Sequence, residues 1–328
     1  MKAKILVACV AALVPAGSMA APPAAAVAKP DPSDMLLAAR TRIDRAGRIV
    51  VPVFIDGKGP FRFLVDTGAN GSMISSGLVG ALGLTSNPAD EERVQGTTGI
   101  ERLPCVTIDD LRISSIVKHD IRMPVSPSPV MDGLGGILGM AGFGPVRVLV
   151  DFRRNRVEID RSNDLLVEGY LGVQAERTPG GLLMIPALVG DVPVEAVIDT
   201  GAAMTMGNAA LHEALLRSAA RHPRQAKIYG VTRQTSEGSI SLSPWITFGP
   251  VVIQGVGIVY SDIPIFRIWH LSSQPALIIG MNVLGSVDAL ILDYPRARVY
   301  LRPVETGVSV DLDRQMSYIK HGLNDDGN

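Results

Sequence analysis

The segment Phe61-Arg62-Phe63-Leu64-Val65-Asp66-Thr67-Gly68-Ala69 occurs twice. Its second copy is Val194-Glu195-Ala196-Val197-Ile198-Asp199-Thr200-Gly201-Ala202. Each copy is an apolar strand that runs into an aspartate and a Thr-Gly-Ala turn. Other landmarks recur in the same order. Pro52 answers Pro186, Ile137-Leu138-Gly139-Met140 answers Ile278-Ile279-Gly280-Met281, and Val150-Asp151-Phe152 answers Leu292-Asp293-Tyr294. The offsets are about 134, 133, 141 and 142 residues for Pro52, Asp66, Ile137 and Asp151. One unit has therefore been duplicated, with a net insertion of about eight residues in the second copy. Two copies are too few for a solenoid. They suit two pseudo-symmetric lobes with a site at the shared interface.

The composition fits such a β-rich molecule. Hydrophobic residues make up 47% of the 328, yet only 5% are aromatic, so the core should be Val, Ile, Leu and Ala. A net charge of −1 and the absence of a basic block argue against a nucleic-acid partner. At the N-terminus, Lys2 and Lys4 precede the apolar run Ile5 to Val14, and Ser18-Met19-Ala20 follows with small-x-small spacing. This pattern predicts a signal peptide over 1–20, cut after Ala20, and export of the rest. The run is short for a membrane span, so no integral membrane segment is expected once it is removed. Cleavage takes Cys9 away and leaves Cys105 alone, which excludes an intramolecular disulfide. Cys105 lies in the strand-like run Leu103–Ile108 and reads as a buried structural cysteine.

Domain boundaries follow from the repeat. Residues 21–38 form an Ala/Pro-rich leader, 39–162 the first lobe, 163–181 a connection containing Pro179-Gly180-Gly181, 182–303 the second lobe and 304–328 a polar tail. Within the first lobe, Asp44-Arg45-Ala46-Gly47 and Asp56-Gly57 mark turns, and Ser75 to Leu84 reads as a short helix. Val94 to Ile100 is a hairpin candidate. Strands are expected near 103–108, 111–125, 146–152 and 156–159.

The chemistry follows from the paired aspartates. A carboxylate on a tight turn at a strand end is held rigidly. The glycine permits a turn that a Cβ would obstruct, and the threonine hydroxyl can lock the loop by hydrogen bonding. Two such loops about a two-fold axis place two carboxylates face to face. Such a pair resists double ionisation and holds one proton over a range of pH. The ionised member can take a proton from water while the protonated member donates to a carbonyl, which is general acid–base hydrolysis. The bland alternative is two capped structural turns. A second repeated pair, Asp151 and Asp293, lacks the neighbouring glycine and reads as hairpin turns paired with arginine. No metal is expected, because His212-Glu213 is followed by Leu216 where a zinc motif needs histidine. Nor is there a Gly-x-Ser-x-Gly or a phosphate-binding loop. Met73, Met140, Met204, Met206 and Met281 read as core filler or as an apolar cleft lining.

These residues resemble the retropepsin-like and pepsin-like aspartic proteases. The likeness covers roughly residues 40–302, and Ala69, Ala202, Met140, Met281 and the short lobes bring it nearer the bacterial retropepsin-like branch. It implies an all-β, bilobal, pseudo-two-fold fold with the active site between two β-barrel lobes. It implies an exported endopeptidase in which Asp66 and Asp199 form the dyad and Thr67, Gly68, Thr200 and Gly201 support the two loops. Gly139 and Gly280 would lie in ψ-shaped loops under the aspartates, and hydroxyls recur six residues after each aspartate, at Ser72 and Thr205. Flap candidates are Gly96, Thr97, Thr98 and Gly99 in the first lobe and Tyr229 and Gly230, followed by Val231-Thr232, in the second. The implied partner is a peptide or protein substrate, with no cofactor. One chain supplies both halves, so a monomer suffices, and in a Gram-negative host the destination would be the periplasm. The alternative from another class is a non-catalytic peptide-binding module on the same fold.

Overall fold

The computed structural model describes residues 35–40, 42–44, 47–114, 116–143, 145–160, 168–178, 180–216 and 224–304. The expected signal peptide, most of the leader, residues 163–167 and Pro179 of the connection, and all but the first residue of the polar tail lie outside the described residues. The chain is all-β and bilobal, with one sheet in each lobe and a third joining them.

The first-lobe sheet has the spatial order Arg42–Ile43, Ile49–Ile55, Lys58–Asp66, Gly136–Gly139, Met73–Ser75, Ile116–Ser126, Gly99–Ile113, Asn87–Gly96. Ile49–Ile55 also pairs with Gly99–Ile113, through Phe54 opposite Arg112 and Ile55 opposite Leu111, which curls the sheet towards a barrel. Asp56 and Gly57, with φ of 49° and 73°, make the tight turn between Ile49–Ile55 and Lys58–Asp66. The helix Ser76–Leu82 is capped by the Ser75 side chain and stopped by Gly83 at φ 69°.

One boundary differs from the sequence expectation. The paired acids Asp109-Asp110 break the apolar alternation and mimic a strand end. The ladder instead runs straight through them, with Ile108 opposite Ile121 and Asp110 opposite His119, and the chain turns at Ser114.

The second-lobe sheet repeats this plan around Val192–Ile198, Ala276–Ile279 and Thr205–Gly207. The one long strand Gly99–Ile113 is here divided into Thr235–Leu242 and Trp245–Phe248. Pro244 stands at the division and supplies no N–H to a ladder. Its partner is likewise divided, into Val251–Gln254 and Gly257–Tyr260, at Gly255 with φ 70°.

The third sheet takes three strands from each half, in the order Met35–Arg40, Arg156–Asp160, Arg147–Asp151, Ala289–Asp293, Arg298–Arg302, Leu171–Gln174. At its centre Leu149 faces Ile291. These two are counterparts under the 142-residue offset, so the pseudo-two-fold axis passes between them. The two outer strands, also counterparts, fall partly in the stretch read as leader and wholly in the stretch read as connection. The core runs without a break from each lobe through this sheet. It includes Val65, Val148, Ile198 and Leu290, and as expected it is built mostly of Val, Ile and Leu.

Candidate functional site

Each aspartate sits at the end of a strand that has a parallel neighbour. Lys58–Asp66 runs beside Gly136–Gly139, with Asp66 opposite Gly139. Val192–Ile198 runs beside Ala276–Ile279, and the Asp199 N–H donates to Ile279 O at 3.0 Å. In both lobes the loop after the aspartate folds under the neighbouring strand. A Cβ on Gly139 would come within 2.8 Å of Gly71 N, and one on Gly280 within 2.9 Å of Ala202 O. The two hydroxyls noted in the sequence hold these crossings. Ser72 Oγ accepts from the Gly139 N–H at 3.2 Å and Thr205 Oγ1 from the Gly280 N–H at 3.1 Å.

The two Thr-Gly loops interlock across the lobe interface. Thr67 Oγ1 donates to Ile198 O (2.9 Å) and accepts from the Thr200 N–H (3.0 Å). Thr200 Oγ1 donates to Val65 O (2.7 Å) and accepts from the Thr67 N–H (3.2 Å). Both threonines are buried, so water has little access to replace these bonds. The glycines bring the carboxyl groups together. A Cβ on Gly68 would lie 2.7 Å from Asp199 Oδ1, and one on Gly201 equally close to Asp66 Oδ1. Each glycine therefore lies against the opposite lobe's aspartate, and no other residue leaves that space open.

The carboxyl groups hydrogen-bond to each other but are not equivalent. Asp199 accepts from the Gly201 and Ala202 N–H groups at 2.8 and 3.1 Å, while Asp66 accepts from Gly68 at 2.8 Å. Burial pushes both pKa values up. For Asp66, the neighbouring Asp199 charge raises it further, well above the ordinary aspartate range. The Asp199 carboxylate is favoured by its two backbone donors and by accepting from Asp66. Burial and the close approach of the two carboxyls thus favour one proton shared by the pair, with Asp199 the better supplied with donors to a negative charge.

Two contributors were not foreseen from sequence. Buried Arg48 favours the ionised form of both aspartates. Its Nε donates to Asp44 Oδ2 at 2.8 Å, and a terminal guanidinium nitrogen donates to Val130 O at 3.4 Å. The only sequence signal was an arginine at the end of a turn, directly before an apolar strand. The buried Tyr294 ring lies within electrostatic reach of both carboxyls, which with burial pushes its hydroxyl pKa up. Its counterpart is Phe152, so this polar group is present in one half only.

The competing acids are placed apart. Asp151 faces Ala289 and Asp293 faces Arg147, at opposite ends of one strand pair. Asp151 accepts from the Arg154 N–H and guanidinium and from Arg302. These bonds outweigh burial, which acts the other way, and hold its carboxyl low. Asp293 accepts in the same way from Arg296. The arginine partner is three residues on, nearer than the Arg156 and Arg298 of the sequence pattern. No group of three or more metal-binding side chains is found among the described residues. Met73, Met140, Met206 and Met281 are buried, and Met204 is partly exposed. Cys105 is buried, and burial raises its thiol pKa.

The flap candidates fall on two hairpins whose tips meet. Thr97-Thr98 joins Asn87–Gly96 to Gly99–Ile113, and residues 230–234 join Arg224–Tyr229 to Thr235–Leu242. Thr98 Oγ1 donates to Gln234 O at 2.7 Å and lies 3.4 Å from Thr232 Oγ1. The flap glycines serve this approach rather than turn geometry. A Cβ on Gly230 would lie 2.6 Å from Thr98 Oγ1, one on Gly96 would lie 3.0 Å from Val231, and one on Gly99 would overlap the Gln234 side chain.

A family model described as aspartyl protease matches residues 51–141 and again 185–283. The two matches cover more than half of the chain and coincide with the two lobes. The chain belongs to the aspartyl protease family, in a two-lobed, retropepsin-like form. A search of curated proteins finds no match.

Proposed function

We propose that this chain is an aspartic endopeptidase in which Asp66 and Asp199 hydrolyse peptide bonds without a covalent intermediate. The observation that carries the reading is two buried carboxyl groups brought face to face, each set against the other lobe's glycine and supplied with an unequal set of backbone donors. Asp199 takes a proton from a water held between the pair as that water attacks the scissile carbonyl carbon. Asp66 gives its proton to the carbonyl oxygen, and a tetrahedral gem-diol forms. On collapse the C–N bond breaks. The leaving nitrogen takes the proton from Asp199, and Asp66 recovers one from a gem-diol hydroxyl. Both carboxyls return to their starting state, with one water consumed per bond. An extended peptide under the flaps would present its backbone for strand-like pairing.

We also propose export, on the N-terminal pattern alone, with the periplasm as destination in a Gram-negative host. N-terminal sequencing of the exported chain should begin at Ala21, and retention of residues 1–20 would contradict cleavage there.

The activity is tested by incubating residues 21–328 with a diverse pool of unstructured peptides from pH 3 to 8 and reading cuts by mass spectrometry. Internal cuts are expected, with a bell-shaped pH dependence. The alkaline limb should lie above the ordinary aspartate range, because burial and Asp199 hold the Asp66 proton on. The acid limb should appear where Asp199 also protonates. No cleavage at any pH would put the peptide-binding module in first place.

A further inference from the structure

The two flaps are held by different kinds of contact. The second flap is fastened to the body of the opposite lobe. Ser126 Oγ donates to Val231 O at 2.7 Å, and Ser128 Oγ donates to Gly230 O at 2.5 Å. Both serines are buried and further held, since Ser126 Oγ accepts from the Ser128 N–H and Ser128 Oγ from the Val130 N–H, each at 3.3 Å. The Val231 side chain packs against the first-lobe apolar cluster that includes Met73, Met131 and Leu134.

Among the described residues the first flap has no matching anchor. The strand pairings make Ser261 the counterpart of Ser126, but Ser261 Oγ donates to Glu237 O within its own lobe. The counterpart of Ser128 is Ile263, which has no hydroxyl. The helix Pro264–Ile268 lies against the first-flap strands, and among the described residues no hydrogen bond joins them. Among the described residues, the hydrogen bonds that tie the tip of the first flap to the opposite lobe are those of its seam with the second flap. That seam comprises Thr98 on Gln234 O, Gln234 Nε2 donating to Ile100 O at 3.3 Å, the Arg233 N–H donating to Glu101 Oε2 at 2.8 Å, and an Arg233–Glu101 ion pair. The Arg233 side chain is 67% exposed, so water can replace the Arg233 side of its ion pair as the seam opens, and the buried Thr98 hydroxyl gives up its bond to Gln234 O. Lifting the second flap would instead strand two buried hydroxyls and expose Val231.

We propose that Ser126 and Ser128 are positioning residues that fix the second flap as a wall of the cleft, so that the first flap alone lifts to admit a peptide. The Gly230 and Val231 carbonyls are committed to these serines. Roof-side backbone pairing to a bound peptide therefore comes from the first flap, and Glu101–Arg233 is the catch that opens. This assignment rests on the proteolytic reading only for its purpose; the motion itself is measurable without substrate.

The test is amide hydrogen exchange on the chain from residue 21, read by mass spectrometry over fragments 94–101 and 228–236. In the wild type, 94–101 should exchange at least about tenfold faster than 228–236. Ser126→Ala with Ser128→Ala should raise exchange in 228–236 by a similar factor and change 94–101 little. Glu101→Gln, which leaves the anchors intact, should speed 94–101 throughout and 228–236 by no more than the single Arg233 amide that donates to the Glu101 carboxylate. Equal exchange of the two flaps in the wild type, or equal acceleration of both by the serine substitutions, overturns the proposal.

Cleavage kinetics give a second readout. Glu101→Gln should lower KM a few-fold by raising the open fraction, whereas the serine pair should lower kcat. Wild-type protein that exchanges asymmetrically yet cuts nothing would sink the proteolytic reading and leave the fixed wall standing. Cleavage with symmetric exchange would do the reverse.

Discussion

Asp66→Asn and Asp199→Asn are each expected to lose peptide cleavage by at least about a thousandfold while keeping the fold. An amide at position 199 cannot take the water proton, and one at position 66 has no acid proton to give. Lost activity alone would not separate chemistry from collapse, but stability does. Burial and the Asp199 charge raise the Asp66 pKa in the folded protein. Below the unfolded-state value of about 3.9 both states carry the proton, and the raised pKa has no effect on stability. As pH rises from there towards the folded pKa, the unfolded chain releases a proton that the native protein retains, so wild-type stability falls. Above the folded pKa the loss is complete. Asparagine does not titrate. Asp66→Asn should therefore match wild type more closely near pH 3.5 and exceed it at pH 7, measured by urea midpoints at both values. An Asp66→Asn protein less stable than wild type at pH 7 would contradict this electrostatic account.

The second large effect is on stability. Thr200→Val keeps the side-chain shape but removes the hydroxyl that donates to Val65 O and accepts from the Thr67 N–H. Both partners are left buried without a bond. At about 1–3 kcal/mol for each orphaned group, the expected loss is about 2–6 kcal/mol, a large part of a typical total of about 5–15 kcal/mol. Thr67→Val should cost a similar amount through Ile198 O and the Thr200 N–H. The double variant should lose less than the sum, because each single change already breaks bonds of one network. A control, Thr107→Val on an exposed strand position, should stay within about 0.5 kcal/mol. Equal denaturation midpoints for Thr200→Val and the control would show that the interlock does not hold the lobes together.

These expectations began with residues whose roles are local. Asp-Thr-Gly-Ala is legible because its turn, carboxylate and hydroxyl sit within four residues, and the duplication placed the partner loop. The hydroxyls of Ser72 and Thr205 were visible as a repeat, but only the fold shows which N–H each one holds. The Gly96–Gly99 tip was legible from its glycines. The glycine-poor tip at 230–234 was visible only in part, because its shape answers to the other flap rather than to its own turn. Contacts between distant positions left weaker traces. Arg48 acts on both aspartates from a turn that looks ordinary, and Ser126 and Ser128 sit in a loop whose prolines suggest only rigidity. The strands Met35–Arg40 and Leu171–Gln174 hid in the leader and the connection, because they exist by pairing with chain more than 115 residues away. The acidic pair Asp109-Asp110 misplaced a strand end because ladder hydrogen bonding across the hairpin overrides a local break in alternation.

The most direct test of the shared proton is a carboxyl carbon NMR titration of the folded, aspartate-labelled protein from pH 3 to 8. Asp66→Asn and Asp199→Asn samples would assign the two signals by their disappearance. The account predicts that the Asp66 carboxyl stays protonated well above the ordinary aspartate range and that its signal and that of Asp199 shift together as the pair titrates. Two carboxyls that ionise independently near pH 4 would contradict it.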